Sequence, residues 1–386
     1  MYNRTLVFAA ACIGLLLFGI GMITLGSILP SLAEKFQLNE VAAGTLVSIL
    51  PLGILAGSLI FGPIVDRYGY KGMLAINALL MVLAMQGLAY ANSLWQLQAS
   101  IFLVAFGGGV MNGAGSALVS DITEGGKGAN LSLLGVFFGV GALGMPVLLG
   151  LLSKNFSFES IVSTVGFCLL LPALYFLLIR FPEPKQQEEV ALKQGMRLIR
   201  EPALLLLGFY LFFQSGAESL VTNWTTTYLL QKAGLSSQQS LFALSASVAG
   251  MTVARLLLSR LLKKVSPFWA LMASLCIAIA GSFTLMLASA YGFAIAGLAL
   301  LGAGLAGGFP IILGYVGDIY AKLSGTAFSI AFVIALAGNM LINYMMGVIS
   351  QAFGIGQLST ALLLTLMVMI ILLWVIRGRI RGKVAV

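Results

Sequence analysis

Of the twelve acidic residues in this chain, eleven fall in polar segments or at the ends of apolar runs, and one does not. Glu218 lies deep inside an apolar run, about 22 Å along a helix that starts near Ala203 and past the middle of a bilayer. A carboxylate at that depth costs about 2.5–3.5 kcal/mol on insertion scales, so it faces a cavity or a partner. It could carry a proton, or stay ionised and accept strong, directional hydrogen bonds from hydroxyls. The structural alternative is a carboxyl satisfied by backbone or a neighbouring helix. Gln214, four residues earlier, shares its helix face. Asn223, Trp224 and Tyr228 follow towards the outer end. An amide, a carboxylate and an aromatic ring together suit a polyhydroxylated ligand, although Trp and Tyr near a span end are also ordinary interface anchors.

Other polar side chains sit in apolar runs. Asn339 and Asn343 are again four apart, with Tyr344 adjacent, and are costly facing lipid. They line a cavity or bind helix to helix. Asn112 and Ser116 form a similar pair, and Tyr315 and Gln86 are weaker candidates. Arg255, about a turn and a half from a span end, is expected to snorkel outward. Glycines 107, 108, 109, 113 and 115, and 302, 304, 307 and 308, read as places where helices approach and slide.

What is missing narrows the chemistry further. With no histidine, His metal sites, His relays and Ser-His-Asp arrangements are excluded. Cys12, Cys168 and Cys276 are far apart and read as small hydrophobes. No phosphate loop of the GxxxxGK[ST] type occurs, so direct coupling to ATP is not expected. Without histidine, a paired catalytic carboxylate or a soluble output domain, an intramembrane enzyme or sensor is not expected either, nor is a cofactor or metal.

The elements that hold these groups must lie in a membrane. The chain has 386 residues, 60% hydrophobic and 9% charged, with a mean hydropathy of +1.05, whereas soluble proteins carry about 25% charged residues. Continuous apolar runs exclude a β-barrel, whose strands alternate. Twelve runs, from 5–30 to 357–377, are each long enough to span a bilayer, giving an all-α membrane protein. The first run continues through Leu29 and reads as a span, not a cleavable leader. With the N-terminus inside, seventeen basic residues fall on the cytoplasmic side and three (Lys35, Lys154 and Lys232) on the other. Both termini are therefore expected in the cytoplasm, and the net charge of +9 needs no nucleic-acid partner.

A polar segment, 181–202, reads as a cytoplasmic linker between two six-helix bundles, 1–180 and 203–386, and its LKQGMRLI stretch as a short surface helix. The halves look duplicated. Gly57, Gly62, Arg67 and Lys71 are matched 193 residues later by Gly250, Arg255, Arg260 and Lys264.

The segment GPIVDRYGYK, from Gly62 to Lys71, resembles the loop signature of the major facilitator superfamily. The resemblance implies two pseudo-symmetric six-helix bundles that work by alternating access. It also implies that Asp66, Arg67 and Lys71 form a gate and not a substrate site. Ser259 stands where a second copy would place its aspartate, and Asn112 stands where many members carry an arginine. GAESLVTNWTTTYL, GMTVARLLLSRLLKK and the Asn112-Gly113 pair look most like the fucose/glucose/mannose:proton symporter group, whose acidic residue in helix one is absent. This resemblance implies a monomeric transporter of the bacterial inner membrane that imports a small neutral sugar with protons. Glu218 would then be the proton carrier, and Gln214, Asn112, Asn223, Trp224, Tyr228, Asn339 and Asn343 ligand contacts. The glycines around Pro146 partly resemble drug antiporters, so the alternative is proton-driven efflux of lipophilic or cationic compounds through a cavity with Phe137, Phe138, Phe212 and Phe213.

Overall fold

Asn3 opens the first helix by accepting hydrogen bonds from the amides of Thr5 and Leu6 (3.0 and 3.4 Å), so an otherwise unpaired helix end is satisfied before the chain turns apolar. The computed structural model describes residues 2–38, 40–153, 155–184, 197–287 and 291–380. Most of the expected linker, including the start of its surface helix, lies outside the described residues, as do Lys154 and 381–386. Among the described residues there is no strand.

The helices are α1 (Arg4–Lys35), α2 (Glu40–Tyr68), α3 (Tyr70–Tyr90), α4 (Leu94–Ile122), α5 (Lys127–Leu152) and α6 (Phe158–Cys168, resuming as Leu170–Leu178). They continue as α7 (Pro202–Lys232), α8 (Ser237–Leu261), α9 (Pro267–Met286), α10 (Tyr291–Leu305, resuming as Gly308–Ile319), α11 (Ser324–Phe353) and α12 (Leu358–Ile380). Twelve of the described helical stretches are long and apolar enough to cross a membrane. Large apolar side chains stand on the outside, such as Leu83 at 68% and Leu171 at 70% exposure, as a surface solvated by lipid requires. The chain is an all-α, multi-pass membrane protein.

Local chemistry sets the helix ends. Pro202 and Pro267 occupy first-turn positions, where a missing N–H costs nothing. Ser236 and Gln239 form a reciprocal capping box at the start of α8. Gly69 alone connects α2 to α3, at a φ of +81° that L side chains rarely adopt.

Two compact units result. One comprises Met1–Ile122, Phe137–Arg197 and Ala321–Ile330; the other Thr123–Val136, Leu198–Tyr320 and Ala331–Val386. In the first, α4 is the central helix, packed by α1, α2 and α3; in the second, α10 is packed by α8 and α9. The crossings match residue by residue. A Cβ on Gly57 would strike the Phe106 carbonyl and one on Gly109 the Ile54 backbone; 193 residues on, Gly250 meets the Ala299 carbonyl and Gly302 the Ser247 carbonyl.

Candidate functional site

The second unit gathers its polar groups where α10 is interrupted. The helix stops at Leu305 and resumes at Gly308. The Gln214 side chain, 1% exposed, lies against Gly308, where any Cβ would collide with its amide. Its Nε2 donates to the Leu305 carbonyl (2.8 Å) and to Glu218 Oε1 (2.7 Å). The broken helix therefore fixes the amide, and the amide fixes the half-buried carboxylate one turn along α7.

Arg255 on α8 belongs with this group. It was expected to snorkel; instead it turns inward over Gly135 of α5, whose missing side chain leaves room for it. Its Nη1 donates to the Gly135 carbonyl (3.4 Å), and its buried Nε has no hydrogen-bond partner. Ser132 Oγ donates to the Arg255 carbonyl (2.7 Å). The guanidinium is near enough to Glu218 for the two charges to interact. An acid and an amide of α7 thus meet beside the interruption in α10, with the Arg255 guanidinium of α8 within electrostatic reach of the acid. Such a set can bind hydroxyl or carboxylate groups and hold a proton.

The other candidates on α7 and α11 bond mainly to each other. Trp224 Nε1 donates to Asn343 Oδ1 (2.5 Å), Asn339 Nδ2 to the Ser215 carbonyl (3.4 Å), and Ser219 Oγ to the Asn339 carbonyl (3.4 Å). Tyr228 is buried, with its hydroxyl donating to the Leu285 carbonyl (3.4 Å), and Asn223 is exposed. Asn112, half-buried, and Ser116, buried, lie on α4 in the first unit. Gln86 joins α3 to α6 by bonding both to the Ser163 carbonyl and hydroxyl. Of the aromatic residues of the efflux alternative, Phe138 packs on Phe18 in the first unit and Phe212 on Phe213 in the second.

The loop-motif residues belong to the first unit. Asp66, 1% exposed, accepts from the amides of Gly325 (3.1 Å) and Thr326 (2.8 Å) and from Thr326 Oγ1 (2.7 Å), so its charge lies on the N-terminus of α11. Arg67 and Lys71 are exposed, with Arg67 over the Tyr68 ring.

Sequence reasoning missed three things here. Asp121 accepts from Ser324 Oγ (2.6 Å) and the Tyr70 hydroxyl (2.5 Å) beside the same end of α11. In the second unit, Lys127 Nζ bonds to the Gly317 carbonyl (2.8 Å) and pairs with Asp318 (3.2 Å), placing a cation at the end of α10. The third is the interruption of α10, whose signal was present: Gly307-Gly308 followed by Pro310 reads as a helix restart.

Comparison with known proteins agrees with this architecture. "Inner membrane transport protein YdiN" of Escherichia coli is 24% identical over 94% of this chain and 90% of its own length. "Glucose/mannose transporter GlcP" of Bacillus subtilis is 23% identical over 85% and 84%. Among solved structures, FucP in the outward conformation, a fucose:proton symporter from E. coli, superposes with a TM-score of 0.81 at 19% identity over 96% of this chain and 98% of its own. The family profile of the Major Facilitator Superfamily matches residues 11–338, and with its twelve membrane-crossing helices the chain belongs to that superfamily of transporters.

Proposed function

We propose that this protein imports a small sugar-like solute together with protons, its halves 1–180 and 203–386, joined by the 181–202 linker, rocking around a midplane site to alternate access. The carrying observation is the Gln214–Glu218 pair fixed by the interrupted α10. Discontinuous helices mark where a membrane transporter offers polar groups to a solute. GlcP and FucP, named for glucose/mannose and fucose:proton transport, support the solute class.

In this reading Glu218 carries the proton, and Gln214 holds its carboxylate and meets solute hydroxyls. Trp224, its indole oriented by Asn343, covers the apolar face of a ring. Asn339, Asn223, Tyr228 and, from α4, Asn112 complete the polar lining. Asp66 forms the gate, flanked by Arg67 and Lys71. The protein acts as a monomer in a bacterial inner membrane with both termini cytoplasmic, as the basic bias suggests.

The test is solute uptake into proteoliposomes under an imposed pH gradient. Accumulation should follow the gradient, and Glu218→Gln should abolish it while leaving solute exchange across the membrane. Uptake that ignores the gradient, or an undiminished Glu218→Gln variant, overturns the reading.

A further inference from the structure

We propose that the solute carries a carboxylate held by Arg255, which makes it a small hydroxy acid of the aldonate or uronate kind. This rests on the transport reading above and specifies the solute of that site.

A guanidinium has five N–H donors arranged to fork onto a carboxylate. Inside α8, Arg255 uses few of them: Nη1 makes one long bond to the Gly135 carbonyl, and the buried Nε makes none. A cation taken out of water with donors unused is costly and is stabilised by an anion that meets it closely. Glu218 does not take that place: it forms no close ion pair with Arg255, and Gln214, itself held by the Leu305 carbonyl, keeps its Oε1 at 2.7 Å. The acid and the guanidinium interact through charge, and the fork is left for a second carboxylate. A neutral sugar could accept hydrogen bonds from the guanidinium through its hydroxyl oxygens, but it would bring no countercharge and no second oxygen matched to the fork.

Charge then sets the coupling. Two carboxylates facing one guanidinium in a low-dielectric interior carry one uncompensated negative charge, so solute binding favours proton uptake at Glu218. The loaded site holds the solute anion and one proton, which together move no net charge. A neutral sugar with one proton would move one positive charge.

The experiment uses the full chain, with D-gluconate, D-glucuronate, D-glucose and D-mannose as probes. In thermal-shift titrations the two acids should stabilise the protein and the neutral hexoses should not. Arg255→Gln should weaken acid binding about 100-fold, and Arg255→Lys, which keeps the charge without the fork, about 10-fold. In wild-type proteoliposomes, acid uptake should follow the pH gradient and ignore a potassium-diffusion potential, a readout that needs no variant to fold. Saturable hexose uptake driven by both the pH gradient and the potential, with no response to the acids, overturns the carboxylate and leaves the proton-coupled sugar reading standing. Uptake of an acid or a hexose that ignores the pH gradient overturns the coupling in both. Absence of binding and uptake for all four probes overturns both.

Discussion

Gly62 and Arg255 stand 193 residues apart at equivalent places in two helix crossings, α2 with α11 and α8 with α5, and so do their opposing residues Gly325 and Ser132. At the first crossing backbone meets backbone: a Cβ on Gly62 would strike the Gly325 carbonyl and Ser329, whose hydroxyl bonds to the Ser58 carbonyl. One turn further, Asp66 lies on the amides of α11. At the second crossing a long cation fills the space over Gly135, and one turn further Ser259 bonds only to the Leu256 carbonyl of its own helix (2.7 Å). The scaffold is repeated and the charge is moved. One copy puts a carboxylate at a helix end, where fixed amides compensate it, and the other puts a guanidinium one turn deeper with donors unused. The first arrangement suits holding helices together; the second suits receiving a ligand.

Exchanging the two environments should break this contrast most sharply. Gly62→Leu forces a side chain into backbone and should leave little folded protein by size-exclusion chromatography. Arg255→Gly should shift the unfolding temperature by only a few degrees while removing solute binding. Equal damage to folding at both sites would refute the contrast. Asp66→Asn keeps an acceptor but loses the charge on the helix end, so stability should fall by about 1–2 kcal/mol in denaturant titration, with solute affinity unchanged. The smallest effect belongs to Gly308→Ala. Its methyl collides with the Gln214 side chain from Cγ to the amide and not with backbone, so Gln214 shifts off Glu218 and affinity should drop about 10-fold, with less loss of stability than at Gly62. An unaltered affinity would show that Gln214 does not align Glu218.

The helices were legible because each needs a long apolar run: the run expected at 291–318 is found at Tyr291–Ile319, and that at 96–120 at Leu94–Ile122. The pairing of Gln214 with Glu218 was legible too, since four residues on one helix fix neighbours without knowledge of the fold. Arg255 was misread because a basic residue near a span end satisfies snorkelling and inward packing equally; Gly135, 120 positions away, decides between them. Asp121 with Ser324, and Lys127 with Asp318, escaped for the same reason, since both are pairings across large sequence separations. The interruption in α10 was hidden by reading Gly307 and Gly308 only as contact glycines.

The single-residue link at Gly69 also limits what can be changed there. Two membrane-crossing helices joined by one residue leave no slack between them, so a tag or protease site inserted between Tyr68 and Tyr70 would force apart helices that the fold holds end to end.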